Sequence, residues 1–438
     1  MHTHGRGRSR AQIHAHHGGV VSSTSYARLF PNLPSFTADV AFLNALGRAG
    51  GLCDCGAGDD DEESLGSDAA GWPFFGQYIA HDITADRSAV QAHVDPSRLR
   101  NARSPKLNLE CLYGDGPVGH PFLFQHTDGA KLLTSPDGHD VQRNAEGTAV
   151  IGDPRNDSHV LMSQMHLAFV RAHNAFVDRV RARGTPEADV FETAARELRW
   201  HYQSAILGEF LPHLIGAPLV DTLLHEGRRF YVPEGEPFIP LEFADAAYRY
   251  GHSQIRHFYT LNGDAVPHKV FPDLVGFHPT PPDLHVEWPR LFDVAGHPPA
   301  QRAKKMDGRL VDALISLPDV ITGESPEEFH SLAARDLQRG QGVGLPSGEA
   351  VAVAMSETPL TAEEVGTAAV GWRGETPLWY YILREADVRG AGDRLGPVGG
   401  RIVGEVLLGL LDLDESSVRH APADWRPSAT LTDLLIQG

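Results

Sequence analysis

Residues 75–84 read FGQYIAHDIT and set a histidine beside a carboxylate in an otherwise apolar stretch. On a helix of 3.6 residues per turn, Gln77 and His81 share one face, whereas Asp82 is rotated away by about 100°. One helix can therefore serve two different sites. Taken alone, the stretch favours a simpler interpretation, a core histidine bonded to a backbone carbonyl and an aspartate at a helix end.

Two later segments supply the partners that a histidine facing a redox centre needs. They read GDPRNDS at residues 152–158 and AYRYGHS at residues 247–253. Together with the first stretch, and in this order, they resemble the animal-type haem peroxidases of the peroxidase–cyclooxygenase superfamily, especially its compact bacterial members. The resemblance runs from residues 26–31 (YARLFP) to residues 395–401 (LGPVGGR), which is nearly the whole chain.

The resemblance implies a mainly α-helical fold, the haem peroxidase fold of the animal type, with central helices around a buried haem and few short strands. It makes His81 the distal histidine and Arg155 the distal arginine. It makes His252 the proximal ligand of the haem iron. Asp82, directly after the distal histidine, corresponds to a calcium-binding aspartate.

The residue types suit peroxide chemistry independently of the family. Cleavage of the O–O bond needs a base that takes a proton from the peroxide and returns it to the leaving hydroxyl, and His81 suits this role. The permanently charged guanidinium of Arg155 can stabilise charge on the departing oxygen. Gln77 is expected to help hold a distal water or a small anion. His252 must bind iron through one ring nitrogen and donate a hydrogen bond from the other.

The expected acceptor for that hydrogen bond of His252 is Asp336. It lies in residues 335–340 (RDLQRG), which look like the family's Leu-Asn-x-Gln-Arg-Gly segment with Asp where Asn is usual. A carboxylate here would pull the iron ligand toward imidazolate and lower the iron potential. The alternative is that Asp336 pairs with Arg335 or Arg339 on a polar turn.

Two departures from the family pattern concern how the haem is attached. Mammalian members form ester bonds to the haem from a carboxylate just before the distal histidine and from a glutamate three residues beyond the distal arginine. This chain has Ala80 and Ser158 there, and neither can form the ester. Asp157 should point elsewhere from a helix start. We therefore expect a non-covalent haem b, held by His252, apolar contacts and propionate salt bridges, and an enzyme that does not oxidise chloride.

A third departure is Arg249, which lies one helical turn before His252. In family members that oxygenate fatty acids, a radical-forming tyrosine occupies this position. Its absence favours peroxidase over cyclooxygenase chemistry. We expect Arg249 to contact a haem propionate or to form a salt bridge at the pocket edge, and a surface ion pair is the alternative.

The resemblance also implies a calcium site. In the family, the aspartate after the distal histidine is joined by a short loop that precedes a Tyr-Gly pair, and here that loop is residues 104–110 (SPKLNLE). Oxygen ligands at alternating positions suit the six to eight ligands that calcium takes. The predicted ligands are Asp82, Ser104, the carbonyl of Lys106, Asn108 and Glu110. The alternative is a capped, solvent-facing loop without an ion.

Composition limits the classes of partner. The 438 residues are 41% hydrophobic and 22% charged, as in a soluble globular protein with a large core. A formal net charge of −19 disfavours nucleic-acid and anionic-membrane partners, and no apolar stretch reaches the roughly 20 residues that cross a bilayer. Because no repeat or long linker divides the chain, we predict one catalytic domain over residues 21–430 after a flexible His-rich tail over residues 1–20.

The N-terminal sequence and the cysteines both point to the cytoplasm. Residues 1–10 (MHTHGRGRSR) are basic and His-rich and are not followed by the apolar core of a secretory signal. Only three cysteines occur, and Cys53 and Cys55 lie too close in sequence to form an ordinary disulfide framework with Cys111. We therefore expect a protein of a reducing compartment.

The apolar periodicity predicts a mainly helical chain with helices over residues 159–183, 187–211, 240–260, 303–316 and 361–370. The first is amphipathic, is ended by Gly184 and should lie beneath the haem pocket. Its His166 and His173 are expected to be structural hydrogen-bonding residues. The acidic run at residues 59–63 is expected to be a solvated loop before the helix that starts at residues 72–73.

These features together predict a haem peroxidase that reduces hydrogen peroxide through a ferryl intermediate. It would oxidise small organic molecules, such as phenols, or easily oxidised halides. One alternative is a haem-dependent tailoring oxygenase of secondary metabolism that acts on one bound molecule. The other is a haem or calcium binding protein without catalysis, against which the pair of His81 and Arg155 speaks.

Overall fold

Helices dominate the computed structural model, which describes residues 26–56, 62–85, 99–263, 266–323 and 329–437. The predicted tail over residues 1–20 and part of the acidic run at residues 59–63 lie outside the described residues. The helices are α1 Val40–Gly47, α2 Trp72–Ile83, α3 Glu110–Tyr113, α4 Gly116–Gly119, α5 Val160–Ala182, α6 Glu187–Ala205, α7 Leu211–Ile215, α8 Ala217–Glu226, α9 Leu241–Ala244, α10 Asp312–Ile315, α11 Asp319–Thr322, α12 Leu332–Gly342, α13 Gly348–Ala354, α14 Ala362–Val365, α15 Leu378–Gly390, α16 Pro397–Leu413 and α17 Leu431–Ile436.

The strands of the described residues are short and form three two-stranded sheets. They are β1 Tyr26–Ala27, β2 Leu65–Ala69, β3 Ile239–Pro240, β4 Phe258–Thr260, β5 Pro267–Lys269 and β6 Arg302–Lys304. β1 and β3 are parallel, whereas β2 pairs antiparallel with β6 and β4 with β5. The prediction of a mainly helical fold with few short strands is confirmed.

Helix α5 is the longest helix of the described residues and matches its predicted bounds to within one residue at each end. It ends where the sequence predicts, because Gly184 adopts a positive φ of 81° that disfavours other residues. Its buried face packs against α2, α6 and the C-terminal helix α17. His173 bonds the Tyr113 hydroxyl at 2.9 Å and the Ala130 carbonyl at 2.8 Å, the structural role that we predicted for it.

The proximal segment differs from the single helix predicted over residues 240–260. Helix α9 stops at Ala244, and a 3-10 helix spans Ala247–Gln254. A 3-10 helix has three residues per turn, so side chains at i and i+3 lie directly above one another. The difference therefore matters for the site, because it places Arg249 and His252 on the same side.

Three other predicted helices also change. Residues 302–304 form strand β6 against β2, so only Asp312–Ile315 of the helix predicted over residues 303–316 is helical. The helix predicted over residues 361–370 is interrupted by Gly366 at φ +80°. The one predicted over residues 187–211 continues through a π-helical turn, Ile206–Phe210, into α7. In the first case strand pairing, a long-range contact that sequence periodicity does not report, overrides local preference.

None of the helices in the described ranges is both long enough and apolar enough to span a membrane.

Candidate active site

A cavity of about 340 Å³ lies where α2, the 3-10 helix and α12 meet. His81 and His252 both line it, together with Arg155, Arg249 and Arg335. Most of its remaining wall is aromatic or aliphatic, including Phe74, Phe243, Ile255, Phe271, Leu314, Leu317, Ile321 and Leu332. Such a cavity, apolar with a few convergent polar groups, is typical of a site for an organic cofactor or ligand.

Two motif glycines allow the elements around this cavity to approach one another. A Cβ on Gly76 of α2 would lie 2.6 Å from the hydroxyl oxygen of Tyr250 in the 3-10 helix. A Cβ on Gly152 would collide with the backbone carbonyl of Cys111 in α3. Any larger residue would push apart the segments that carry the two histidines and Arg155.

His81 is held in place by a buried chain of hydrogen bonds. Its Nδ1 lies 2.7 Å from Oδ1 of Asn156, and Nδ2 of Asn156 lies 3.1 Å from Nδ1 of His166. Because an amide oxygen only accepts and an amide nitrogen only donates, Nδ1 of His81 carries the hydrogen. The Nε2 of His81 is thereby an unprotonated acceptor. Sequence reasoning missed this role of Asn156, because only the packing of α5 against α2 brings the amide to His81.

Arg155 fixes the segment before α5 against the end of α2. Its Nη2 donates to the carbonyl oxygens of His81 and Thr84, at 3.1 and 2.6 Å. These carbonyls lie at the negative end of the α2 dipole, which attracts a cation. Asp153 accepts from Nε of Arg155 at 3.0 Å and from Nη2 at 2.8 Å. Arg155 and His81 are thus held in a fixed relative position.

Gln77 lies on the same wall of the cavity, but its Oε1 is already engaged. Nε2 of His159, the residue before α5, lies 3.1 Å from that oxygen. Burial lowers the pKa of His159 to about 4, so its neutral ring donates from Nε2. The amide nitrogen of Gln77 has no partner among the described residues and is the group left to hold a water or an anion.

On the wall of the cavity formed by the 3-10 helix, His252 and Arg249 converge on one carboxylate. Nδ1 of His252 lies 2.6 Å from Oδ2 of Asp336, and Nη1 of Arg249 lies 2.8 Å from Oδ1. Burial opposes ionisation of Asp336, but His252 and Arg249 outweigh it and hold its pKa below the usual value. Asp336 is therefore an ionised acceptor for His252. It does not pair with Arg335 or Arg339, the alternative that the sequence left open.

Arg335 is a charged residue of the cavity that sequence reasoning missed. It is half-buried, burial lowers its pKa, and no hydrogen bond or ion pair joins its guanidinium to any residue in the described ranges. By contrast, Arg155 pairs with Asp153, and Arg249 pairs with Asp336. Arg335 is therefore available to an anion inside the cavity. No sequence signal pointed to this role, because the neighbouring Asp336 suggested an intramolecular partner for Arg335.

Comparison with known proteins gives this arrangement a family. A family model of the animal haem peroxidases matches residues 92–356, which is more than half of the 438-residue chain. The chain belongs to the animal haem peroxidase family. Heme peroxidase 2 of Caenorhabditis elegans is 24% identical over 280 residues, covering 56% of this chain and 37% of the worm protein. The chain thus spans little more than a third of the length of that curated relative.

Solved structures support the same fold. Peroxidase A of Dictyostelium discoideum matches with a TM-score of 0.66 and 15% identity, covering 90% of this chain and 88% of the other. A fatty acid alpha-dioxygenase of Arabidopsis thaliana matches with a TM-score of 0.64 and 14% identity, covering 93% of this chain and 75% of the other. At such identities the similarity shows the peroxidase fold and not the reaction.

The positions that carry haem esters in mammalian family members face the cavity here without a carboxylate. Ala80 and Ser158 both line it. The neighbouring Asp157 is bonded by two nitrogens of Arg143, at 2.7 and 2.8 Å. The Asp157 carboxylate is therefore held by an ion pair and does not replace the missing glutamate.

The predicted calcium ligand Asp82 serves a different purpose in this structure. Its two carboxylate oxygens accept backbone N–H groups from Leu109 at 2.9 Å and from Cys111 at 3.3 Å. Burial raises the pKa of Asp82 to about 7, and the two amides offset only part of this rise. The side chain of Lys106, whose carbonyl was a predicted ligand, reaches away to Asp414 at 3.0 Å. Asp82 thus fastens the loop to the end of α2.

The other predicted calcium ligands bond to one another and to an arginine. Glu110 accepts from the backbone nitrogen and the hydroxyl of Ser104, at 3.1 and 2.7 Å, and from Arg103 at 3.2 Å. Asn108 donates to the Ser104 hydroxyl at 3.3 Å. In the part of the chain that the structure describes, no group of three or more His, Cys, Asp or Glu could hold a metal ion. In this structure hydrogen-bond donors and a guanidinium use these oxygens, and the calcium site stays a prediction.

Proposed function

We propose that this protein is a haem-dependent peroxidase that reduces hydrogen peroxide and oxidises small phenols or easily oxidised halides. The observation that carries the proposal is the contrast between the two histidines of one cavity. Nδ1 of His81 bonds a neutral amide, whereas Nδ1 of His252 bonds an ionised carboxylate. A carboxylate partner makes an imidazole a stronger metal ligand, and an amide partner leaves it a neutral base. Membership of the family supports the same function.

The cavity fits a haem, which is a flat and mostly apolar ring with two carboxylates. Nε2 of His252 would bind the iron, because Asp336 holds its other nitrogen. Arg335, which has no ion-pair partner among the described residues, would bind a propionate, and Arg249 lies at the pocket edge as a second cation. When bound, the haem supplies the redox chemistry, because it gives two electrons to the peroxide and then takes electrons one at a time from the reductants.

His81 would move the proton that peroxide cleavage requires. Its Nε2 would accept the proton of the peroxide oxygen that is retained and return it to the other oxygen, which then leaves as water. Burial, followed by the charge of Arg155, lowers the pKa of His81 to about 3. The ring is therefore neutral and ready to accept a proton throughout the physiological range. Arg155, fixed beside it, would stabilise the negative charge that develops on the leaving oxygen.

This pKa makes the pH dependence testable. We expect kcat/KM for hydrogen peroxide to stay flat from about pH 8 to about pH 5, because the neutral form of His81 predominates throughout. A histidine with an ordinary pKa of about 6.5 would be only about 3% neutral at pH 5, a loss of about 30-fold. Stopped-flow mixing with peroxide, with circular dichroism at each pH to verify folding, measures this. An acid limb with a midpoint between about pH 6 and about pH 7 would contradict the assignment.

We also propose that the haem is haem b without a covalent link, in a protein of the cytoplasm. Ala80 and Ser158 face the cavity where esters would form, and neither carries a carboxylate. All three cysteines are free thiols, which suits a reducing compartment.

A tailoring oxygenase is the second candidate, and one wall of the cavity favours it. Beside Arg335 this wall is aliphatic, formed by Leu314, Leu317, Ile321 and Leu332. An apolar wall with one unpaired guanidinium complements an amphipathic carboxylic acid, and one structural neighbour is described as a fatty acid alpha-dioxygenase. Arg249, in place of the radical-forming tyrosine of fatty acid oxygenases, is the observation against it.

Isotope labelling separates the two candidates. Haem-supplied protein receives labelled hydrogen peroxide with guaiacol in one experiment, and labelled peroxide or labelled dioxygen with a long-chain fatty acid in another. The peroxidase proposal predicts rapid formation of coupled guaiacol products and a fatty acid without label. Label in the fatty acid, with slow guaiacol oxidation, would instead support the oxygenase.

A further inference from the structure

Arg103 lies at the centre of a buried charge cluster between the 104–110 loop and the segment that leads into α5. Its Nη1 lies 3.2 Å from Oε1 of Glu110, and its Nη2 donates to the Gly152 carbonyl at 3.0 Å and to Oδ2 of Asp153. The Arg103 side chain is only 8% exposed, and those of Glu110 and Asp153 are each 3% exposed. The guanidinium of arginine stays charged at physiological pH. A permanent cation therefore joins two buried anions.

This cluster lies in the loop where the resemblance implies calcium. Buried carboxylates need a compensating positive charge, and either a metal ion or a guanidinium can supply it. Here Glu110 is bound by Arg103 and Ser104, and Asp82 is bound by two backbone amides. A divalent ion at Glu110 would face a guanidinium on the same carboxylate, and repulsion between two cations is strong in a buried site. Arg103 therefore already supplies Glu110 with the positive charge that a calcium ion would bring.

The same arginine is linked to the proposed distal site through one carboxylate. Oδ1 of Asp153 accepts from the backbone nitrogen and Nε of Arg155, at 2.9 and 3.0 Å. Its Oδ2 accepts from Nη2 of Arg155 at 2.8 Å and also from Arg103. Asp153 thus binds two guanidiniums, which share its Oδ2. Removing Arg103 would take away one of the two cations that hold this carboxylate, on which the orientation of Arg155 depends.

We propose that Arg103 takes the structural place of the calcium ion in this chain and, through Asp153, positions Arg155. The distal side then assembles without a metal ion. Arg103 is a positioning residue, since it acts on Asp153 and Arg155 and does not line the cavity. The link to Arg155 rests on the proposed peroxidase function, whereas the replacement of calcium does not.

Metal analysis tests whether Arg103 takes the place of a calcium ion. The full chain is incubated with calcium chloride, desalted and analysed for bound calcium, and its Tm is measured with calcium and with the chelator EGTA. We expect far less than stoichiometric calcium and the same Tm in both buffers. Stoichiometric calcium, with a Tm that falls in EGTA, would overturn the proposal.

Substitutions of Arg103 test whether its charge is needed. Arg103→Gln leaves the buried Glu110 without its cation and leaves Asp153 with Arg155 alone, and it should lower Tm by roughly 5 °C or more. Arg103→Lys, which keeps the charge but loses the two-pronged geometry, should fall between this variant and the wild type. Arg384→Gln, which removes an arginine paired with Asp387 elsewhere in the fold, is the matched control and should cost less. If the Tm of Arg103→Gln equals that of the wild type, the proposal is refuted. If Arg103→Gln does not fold, the comparison is made with Arg103→Lys instead.

Fluoride binding tests the positioning role without measuring turnover. Fluoride binds ferric haem and accepts hydrogen bonds from donors on the distal side, so its Kd reports on the placement of Arg155. We expect Arg103→Lys to raise this Kd about 10-fold in the wild-type background and to have no effect in an Arg155→Gln background. Equal effects in both backgrounds would show that Arg103 does not act through Arg155. Failure of the protein to take up haem would instead refute the proposed function, and the calcium and Tm measurements would still decide whether Arg103 replaces the ion.

Discussion

Replacing His252 by alanine should remove nearly all bound haem and abolish peroxide-dependent oxidation of guaiacol. His252 is the ring whose Nδ1 is held by the buried carboxylate of Asp336, so its Nε2 is the nitrogen free to bind iron. Without it, only apolar contacts and cations such as Arg335 would hold the haem. Soret absorbance per chain after desalting measures retention. In the wild type, acid–butanone extraction should move the band into the solvent, because no ester links the haem.

Two further variants show whether the loss of haem is specific to His252. Asp336→Asn keeps the iron ligand but removes the ionised partner, and a change of this kind typically costs about 10- to 100-fold in affinity or activity. It should also raise the reduction potential of the iron, because the proximal imidazole becomes less anionic. His225→Ala changes an exposed histidine of α8 and should behave as the wild type. Full haem retention in the His252→Ala variant would rule out His252 as the iron ligand.

Replacing His81 by alanine should lower kcat/KM for hydrogen peroxide by about 100- to 10,000-fold while haem content stays at the wild-type level. The loss reflects the absence of a base that takes up and returns the peroxide proton. Asn156→Ala should lower the same constant by a smaller factor, because His81 remains but its tautomer is no longer fixed by the amide. Stopped-flow kinetics with peroxide as the varied substrate measure both variants. Unchanged kinetics in His81→Ala would favour the alternative of a haem-binding protein without catalysis.

The helices that carry their own start and stop signals could be predicted from the sequence. Helix α2 begins at Trp72 with proline in its first turn, and α5 ends at Ala182, two residues before Gly184, as predicted to within one residue. These helix ends could be predicted because propensity and periodicity are local properties of the chain. The pairing of His252 with Asp336 spans 84 residues and was expected only from the resemblance of residues 335–340 to the family segment, and it is present in the structure.

The missed features all depend on contacts between segments that are distant in sequence. The contact of Asn156 with His81 spans 75 residues, and that of Arg103 with Asp153 spans 50. The resemblance and the oxygen-rich composition of the 104–110 loop predicted calcium, whereas the contact of Arg103 with Glu110 is visible only in three dimensions. The proximal segment became a 3-10 helix rather than an α-helix, a choice that periodicity cannot make over eight residues.

The central claim is that a haem lies between His252, bound to iron, and His81, free to move protons. A crystal structure of the full chain purified with haem tests this claim most directly. We predict a porphyrin in the described cavity, with the iron bonded to Nε2 of His252 and the ring of His81 on the opposite face without a bond to iron. An empty cavity, iron bound by a different residue, or both histidines bonded to the iron would contradict it.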